Sequence, residues 1–367
     1  MDLIDWSAAQ RVGEMMAGSP PPGGVRAGDV EPMAQEFARR VSAYSGLGVP
    51  AELPPLETVD RPTWIAANLE TMRPMLAPLA ERAQGKNGLL AGPLRSASGM
   101  LLGAQVGGLT GLLSQRVLGQ YDLSLLDASV TPRLLLLAPN LSQAARGLGV
   151  DRDELVLWVA IHEITHAVQF TGAPWLREHL GGMLRELIDG LEVSLTGNGD
   201  GSGERVEDQG GGGWRLPRLP DPDELRQLIA RARGGELLRM TLGEDRWRLV
   251  EQMQSAMSLI EGHAEHTMDA VGAEFLPSLP RLRRAMNRRR ESRGLPWRVL
   301  ERLLGLELKL RQYEAGRRFC DAVVAAAGPD ALARVWIGPE MLPSADELTE
   351  PGRWLARVGT AGELPAA

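Results

Sequence analysis

Two histidines four residues apart, with a glutamate directly after the first, stand in the segment DELVLWVAIHEITHAVQF, Asp153 to Phe170. On an α-helix, positions i and i+4 share a face one turn apart. His162 and His166 can therefore aim one ring nitrogen each at a common point. Zinc accepts neutral imidazole nitrogens at about 2.0–2.1 Å, and a four-residue step supplies two of them without strain. Glu163 lies about 100° further round the helix. It is badly placed there to be a third ligand but well placed to reach a water held by the metal, which is what a general base requires. A hydrolytic zinc site takes three protein ligands and keeps a fourth position open, so one more ligand must come from elsewhere in the chain.

All five histidines lie between positions 162 and 266. His162, His166 and His179 belong to the motif or to the helix after it, and His263 and His266 stand in EGHAEH. That grouping predicts that the helix around residue 261 faces the HEITH helix. The candidates for the third ligand are Glu261, His263, Glu265 and His266. Glu261 and Glu265 share a helix face at i,i+4, and Asp269 continues it. An acid one turn beyond a ligand glutamate could hold a ligand histidine by its distal N–H.

The elements that must position these groups read as helices. Asp151 with Glu154 three residues later forms a capping box ahead of the HEITH helix. Leu155 to Ile161 is apolar without a break, so this helix should be buried nearly all round. Thr171, Gly172 and Pro174 end it. Further helices are expected over 1–17, 29–44, from Arg61 onward, and over 175–193, 221–237, 246–272 and 296–326. The uncharged run from Ser96 to Gln115 is long enough for a membrane span. Its Ser, Thr, Gln and five Gly residues argue instead for a buried helix of a soluble protein. Gly99, Gly103, Gly107 and Gly111 make a ridge along which another helix, expected to be the HEITH helix, can approach closely. Arg133 to Ala138, between Pro132 and Pro139, reads as a strand bordering the cleft, whose exposed edge could take an extended peptide as a further strand. Residues 196–222 are rich in Gly and Asp and lack apolar periodicity, which predicts a flexible surface insertion. The seven arginines of 281–293 predict a solvated helix face. The fold class is mainly α with a small strand component beside the metal helix. Three regions are expected: 1–130, a metal-binding core over 131–272, and 273–367.

Composition narrows the function. The chain has 367 residues and a net charge of −7, with a pI near 5.5. This argues against a general nucleic-acid binder. Cys320 is the single cysteine, so no disulfide framework exists within the chain, which fits a reducing, cytoplasmic location. The N-terminal MDLIDWSAAQRVGEMM does not have the basic start and apolar run of a signal peptide.

HEITH followed by the LIEGHAEH helix resembles the glutamate-type zincins, whose third ligand is a Glu, often in an E-G-x-A string. On that pattern Glu261 is the ligand and Glu265 supports it. The related E-x-x-x-D pattern, matched by Glu265 and Asp269, would make Glu265 the ligand, and the first pattern is preferred. IDWSAAQRVG, VLGQYDLSL, HEITHAVQFTGAPWLREHL, EGHAEHTMDAVG and LKLRQYEAGRRFCDAV together resemble an actinobacterial family of zincin-like hydrolases, one branch of which carries a label linking it to deazaflavin-cofactor biosynthesis. The resemblance implies a zincin-like helical fold and a zinc-dependent metalloprotease acting on a peptide or small amide. Zinc held by His162, His166 and Glu261 would activate a water, with Glu163 as general base. Tyr313, with Arg317 four residues on, is the candidate donor to the oxyanion. The distance from His166 to Glu261 exceeds that of most glutamate-type zincins, so extra helices should cover the site. Two rivals remain. One is a zinc-bound but catalytically silent partner-binding protein, which would have no need of Glu163. The other is a di-iron carboxylate bundle, which requires two Glu-x-x-His pairs and finds only Glu163 with His166.

Overall fold

The structure is a computed structural model that describes residues 4–19, 30–86, 93–197, 243–291 and 306–359. The apolar run Arg133–Leu137 forms a strand, β3, at the centre of a three-stranded sheet. Strand β1 (Leu56–Val59) pairs with it in parallel, and β2 (Gly119–Asp122) pairs antiparallel on its other side. All four leucines of β3 are fully buried. Side chains alternate between the faces of a strand, so the run divides. Leu134 and Leu136 enter the larger core with Phe37, Ile161 and Ile164. Leu135 and Leu137 enter a smaller one with Ala9, Trp64 and Ile65. Each buried leucine contributes about 1.5–3 kcal/mol, and a strand covered on both faces needs no polar alternation.

The smaller core is built with α1 (Trp6–Ala17), α3 (Arg61–Lys86) and α4 (Pro93–Ser114). The larger draws on α2 (Glu31–Ser45), α5 (Ala138–Leu148), α6 (Arg152–Gly172) and α7 (Pro174–Gly197). It also takes residues from α8 (Glu244–Gly272), α9 (Leu279–Glu291), α10 (Leu306–Ala327) and the short helices α11 (Pro329–Ala333), α12 (Ala345–Thr349) and α13 (Pro351–Val358). The fold is thus mainly α with a small sheet beside the HEITH helix. Buried Arg61 joins the two sides. It donates to Ala17 O, Asn140 Oδ1 and Gln143 Oε1, and Asn140 in turn donates to the carbonyls of Ser114 and Val117.

Four expectations need correction. The strand at 133–137 is central, with a neighbour on each side, so it has no open edge for a peptide; β1 and β2 are the edge strands. The glycine ridge of α4 receives α1, not the HEITH helix. A Cβ on Gly103, Gly107 or Gly111 would stand 2.3, 2.0 or 2.3 Å from the carbonyl oxygens of Asp5, Ala9 and Gly13, and Asp5 N–H donates to Gly99 O at 2.9 Å. The reason is the sheet, which separates the core that contains α4 from the one that contains α6. Away from that ridge Met100 and Leu101 are exposed, so α4 is buried along one face only. Among the described residues no helix is long and apolar enough to cross a membrane.

The third correction concerns the cap of α6. Asp151 accepts from the N–H groups of Asp153 and Glu154 at 2.9 Å. Glu154 does not complete the box, because its carboxylate is taken by the hydroxyl of Ser278. The fourth concerns the arginine-rich segment, which is more than a solvated face. Arg281 donates to Gly149 O, Arg289 donates to Arg116 O, and Arg283 pairs with Asp269. Beyond the end of α7, the 196–222 segment and the 221–237 helix lie outside the described residues, as does the start of the 296–326 helix.

Candidate metal centre

Helix α6 is buried nearly all round, as its unbroken apolar run predicts. It therefore carries its polar groups into the interior, where a group without a partner is costly. Helix α8 crosses it and in turn packs against α10. A Cβ on Gly262 would stand 2.2 Å from Gly316 C, and one on Gly316 would stand 1.8 Å from Ser258 O. Only two glycines permit that approach, and Gly262 is the residue after Glu261. The close packing of α8 on α10 thereby helps to set where Glu261 stands.

His162 Nε2 and His166 Nε2 are 3.2 Å apart. Glu261 Oε2 is 3.6 Å from the first and 3.7 Å from the second. Among the described residues these three are the side chains that converge closely enough to share an ion. Two ligands bound tetrahedrally at the usual zinc–nitrogen length lie about 3.3 Å apart, so the imidazole spacing fits. Two imidazoles and a carboxylate are also a donor set that suits zinc. Modest parts of His162 and Glu261 reach solvent, 18% and 26% of their side chains, so the cluster has an open side.

The charges are strongly coupled. Burial works against ionisation of Glu261, but His166 and His162 outweigh it and hold its carboxyl well below the usual range. Burial likewise opposes a proton on His166, yet Glu261 prevails and the pKa is pushed up to about 9. Burial pushes the Glu163 carboxyl up, against the two histidines and a backbone N–H. That N–H is Tyr121's, which donates to Glu163 Oε2 at 2.8 Å. The edge strand β2 therefore holds the glutamate from its free side. Its Gly119 lies directly against the same side chain, where an added Cβ would be 2.8 Å from Glu163 Oε1.

The remaining candidates turn elsewhere. His263 is buried against Gln169 and the ring of Trp336. Burial, helped by His266 and His166, pushes its pKa down to about 3, so it is neutral. His266 lies between Tyr44 OH, 2.7 Å from Nε2, and Asp321 Oδ1, 2.6 Å from Nδ1. Glu265 is not in the converging group, and Asp269 pairs with Arg283 and Arg317. His179 sits beside Trp175, and burial lowers its pKa. Tyr313 is on α10, with its side chain outside the described residues. Arg317 is drawn to Asp269 and Asp321.

The sequence predicts an acid behind one of the candidate ligand histidines. The structure has an amide there: Gln169 Oε1 is 2.8 Å from His166 Nδ1. One turn after His166 on a buried helix, Gln169 could have been singled out by its position alone. Tyr121 and Gly119 could not, because only the folded sheet brings them to Glu163.

Comparisons with known proteins show the family. Residues 4–355 match the zincin-like metallopeptidase family, and the chain belongs to that family, a class of metal-dependent hydrolases. It is also similar to a solved structure from Chloroflexus aurantiacus, described as a "putative hydrolase with a novel fold". The two share 30% identity and a TM-score of 0.66, over 97% of this chain and 98% of the other. No protein of curated function matches.

Proposed function

We propose that this protein is a zinc metallopeptidase in which His162, His166 and Glu261 hold the ion and Glu163 is the general base. The observation that carries the reading is the convergence of two imidazole Nε2 atoms and one carboxylate oxygen on a single point, with a buried glutamate beside them. Zinc bound there supplies Lewis acidity towards a carbonyl and lowers the pKa of water. The residues of the chain do the rest. Burial raises the pKa of Glu163 towards the range in which a carboxylate both accepts a proton and gives it up. Tyr121 N–H anchors Oε2, which leaves Oε1 as the oxygen that takes the proton and delivers it to the leaving amine. The proposed substrate is a peptide or small amide that enters by the open side of the cluster. Tyr313 is the proposed oxyanion donor, supported by the packing of its helix against α8. The single cysteine, Cys320, is buried and free, which suits the proposed cytoplasmic location.

Elemental analysis should find about one zinc per chain. A broad peptide library should contain substrates that the wild-type protein cleaves and Glu163→Gln does not. Two irons per chain would overturn the reading. If the zinc-loaded wild type is as inactive as Glu163→Gln on every peptide, the chain is instead a zinc-bound partner-binding protein.

A further inference from the structure

We propose that Gln169 is the positioning residue of this metal centre. It fixes His166 in the tautomer that presents Nε2 to the ion, and it ties α8 to α6 at the residue before Glu261. The inference rests on the metal-centre reading above.

Three contacts carry it. Gln169 is fully buried. Its Nε2 is 3.0 Å from Ile260 O and 2.9 Å from His263 Nδ1, and its Oε1 is 2.8 Å from His166 Nδ1. A backbone carbonyl can only accept, so the amide nitrogen must face Ile260 and the oxygen must face His166. An oxygen there can only accept in turn, which requires the proton of His166 to be on Nδ1. A neutral imidazole protonated at Nδ1 has its lone pair on Nε2. That is the atom 3.2 Å from His162 Nε2 and 3.7 Å from Glu261 Oε2. The second amide hydrogen goes to His263 Nδ1, so both hydrogens of the amide are used.

The same side chain acts on the third ligand through the backbone. Ile260 is the residue before Glu261, and its carbonyl is bonded to α6 through Gln169. One amide therefore orients one ligand directly and anchors the helix that carries another. A carboxylate at 169 could accept from His166 but could not donate to Ile260 O, which explains why an amide stands here. His162 has no such support: its Nδ1 is buried without a hydrogen-bond partner among the described residues. Gln169 is then the main hold on the imidazole pair.

Five histidines make a sparse spectrum in protein labelled with ¹⁵N at histidine alone. Zinc-loaded wild type should show a slowly exchanging proton on Nδ1 of His166, assigned by its loss in His166→Ala. Gln169→Leu should abolish that protection and weaken zinc binding about 10–100-fold in competition with a chelator, the range for outer-shell partners. Gln169→Glu should keep the Nδ1 proton, because an acceptor remains, and still lose affinity, because the bond to Ile260 O is gone. A purely structural role would alter unfolding midpoints without moving the tautomer signal. The wild-type spectrum needs no variant, so a misfolded Gln169→Leu does not remove the test. His166 protonated at Nε2 in the zinc form, or Gln169→Leu folded and binding zinc as wild type does, overturns this proposal alone. A wild-type protein that takes up no zinc overturns the metal centre and this proposal with it.

Discussion

Replacing Gly119 by alanine tests whether the edge strand β2 positions Glu163, the proposed general base. The added Cβ would be 2.9 Å from Glu163 Cγ, 2.8 Å from its Oε1 and 2.6 Å from Val159 Cγ1. Carbon atoms rest at about 3.5–4.0 Å, so the shortfall at Glu163 is about 0.6–1 Å. The valine has one strongly preferred rotamer on a helix, whereas the end of a glutamate side chain can swing. Glu163 should therefore give way and lose the alignment of its 2.8 Å bond from Tyr121 N–H. A displacement of about 1 Å in a reacting group can lower the rate about 10²-fold. The atoms nearest an added Cβ belong to Val159 and Glu163 and not to the three proposed ligands, so the zinc content should not change. Overpacking should also destabilise the fold by about 1–3 kcal/mol, seen as a lower unfolding midpoint. The assay is turnover of a fluorogenic peptide that the wild type cleaves, with zinc content measured on the same samples. Gly119→Ala combined with Glu163→Gln should be no slower than Glu163→Gln alone, because both changes act through one carboxylate. Full turnover in Gly119→Ala, or additive losses in the double variant, would refute the idea that β2 sets the base.

Other outcomes follow from the same geometry. Glu163→Gln keeps its shape and lies outside the ligand set, so zinc should remain bound while turnover falls about 10²–10⁴-fold. Glu261→Gln exchanges an anionic proposed ligand for a neutral one, and chelator competition should show weaker zinc binding. Glu265→Gln should leave zinc binding close to wild type; loss of zinc from this variant, with Glu261→Gln still loaded, would invert the ligand assignment. Zinc at about 1,000 times its Kd should stabilise the folded protein by about 4 kcal/mol, and a chelator should reverse the gain in unfolding midpoint. Gly107→Leu places a side chain where even a Cβ would be 2.0 Å from Ala9 O. Urea unfolding should show a loss at or above the 1–3 kcal/mol usual for overpacking.

Much of the centre could be read along the chain because its parts are local. The i,i+4 spacing of His162 and His166 and the adjacency of Glu163 are properties of one helix turn, and the apolar run before them identifies that helix as buried. The ridge on α4 was equally local, since four glycines at a fixed step announce a close helix contact. Its partner was not, because a ridge carries no address and either α1 or α6 could have filled it. Only the sheet, standing between the two cores, decided for α1. The proposed third ligand had the same ambiguity. Glu261 and Glu265 share a helix face, and the crossing of α8 over α6 brings Glu261 rather than Glu265 to the imidazoles. Strand β1 escaped notice because four residues, LETV, carry too little pattern to stand out from a loop. The leucines of β3 marked a strand without showing that it was central. Its two neighbours lie 11 and 74 or more residues earlier in the chain, and pairing over such distances is written in no single segment. The partner of Glu163 was hidden for that reason. Tyr121 offers a backbone N–H, a group that every residue except proline carries, so only its place on the folded edge of the sheet distinguishes it.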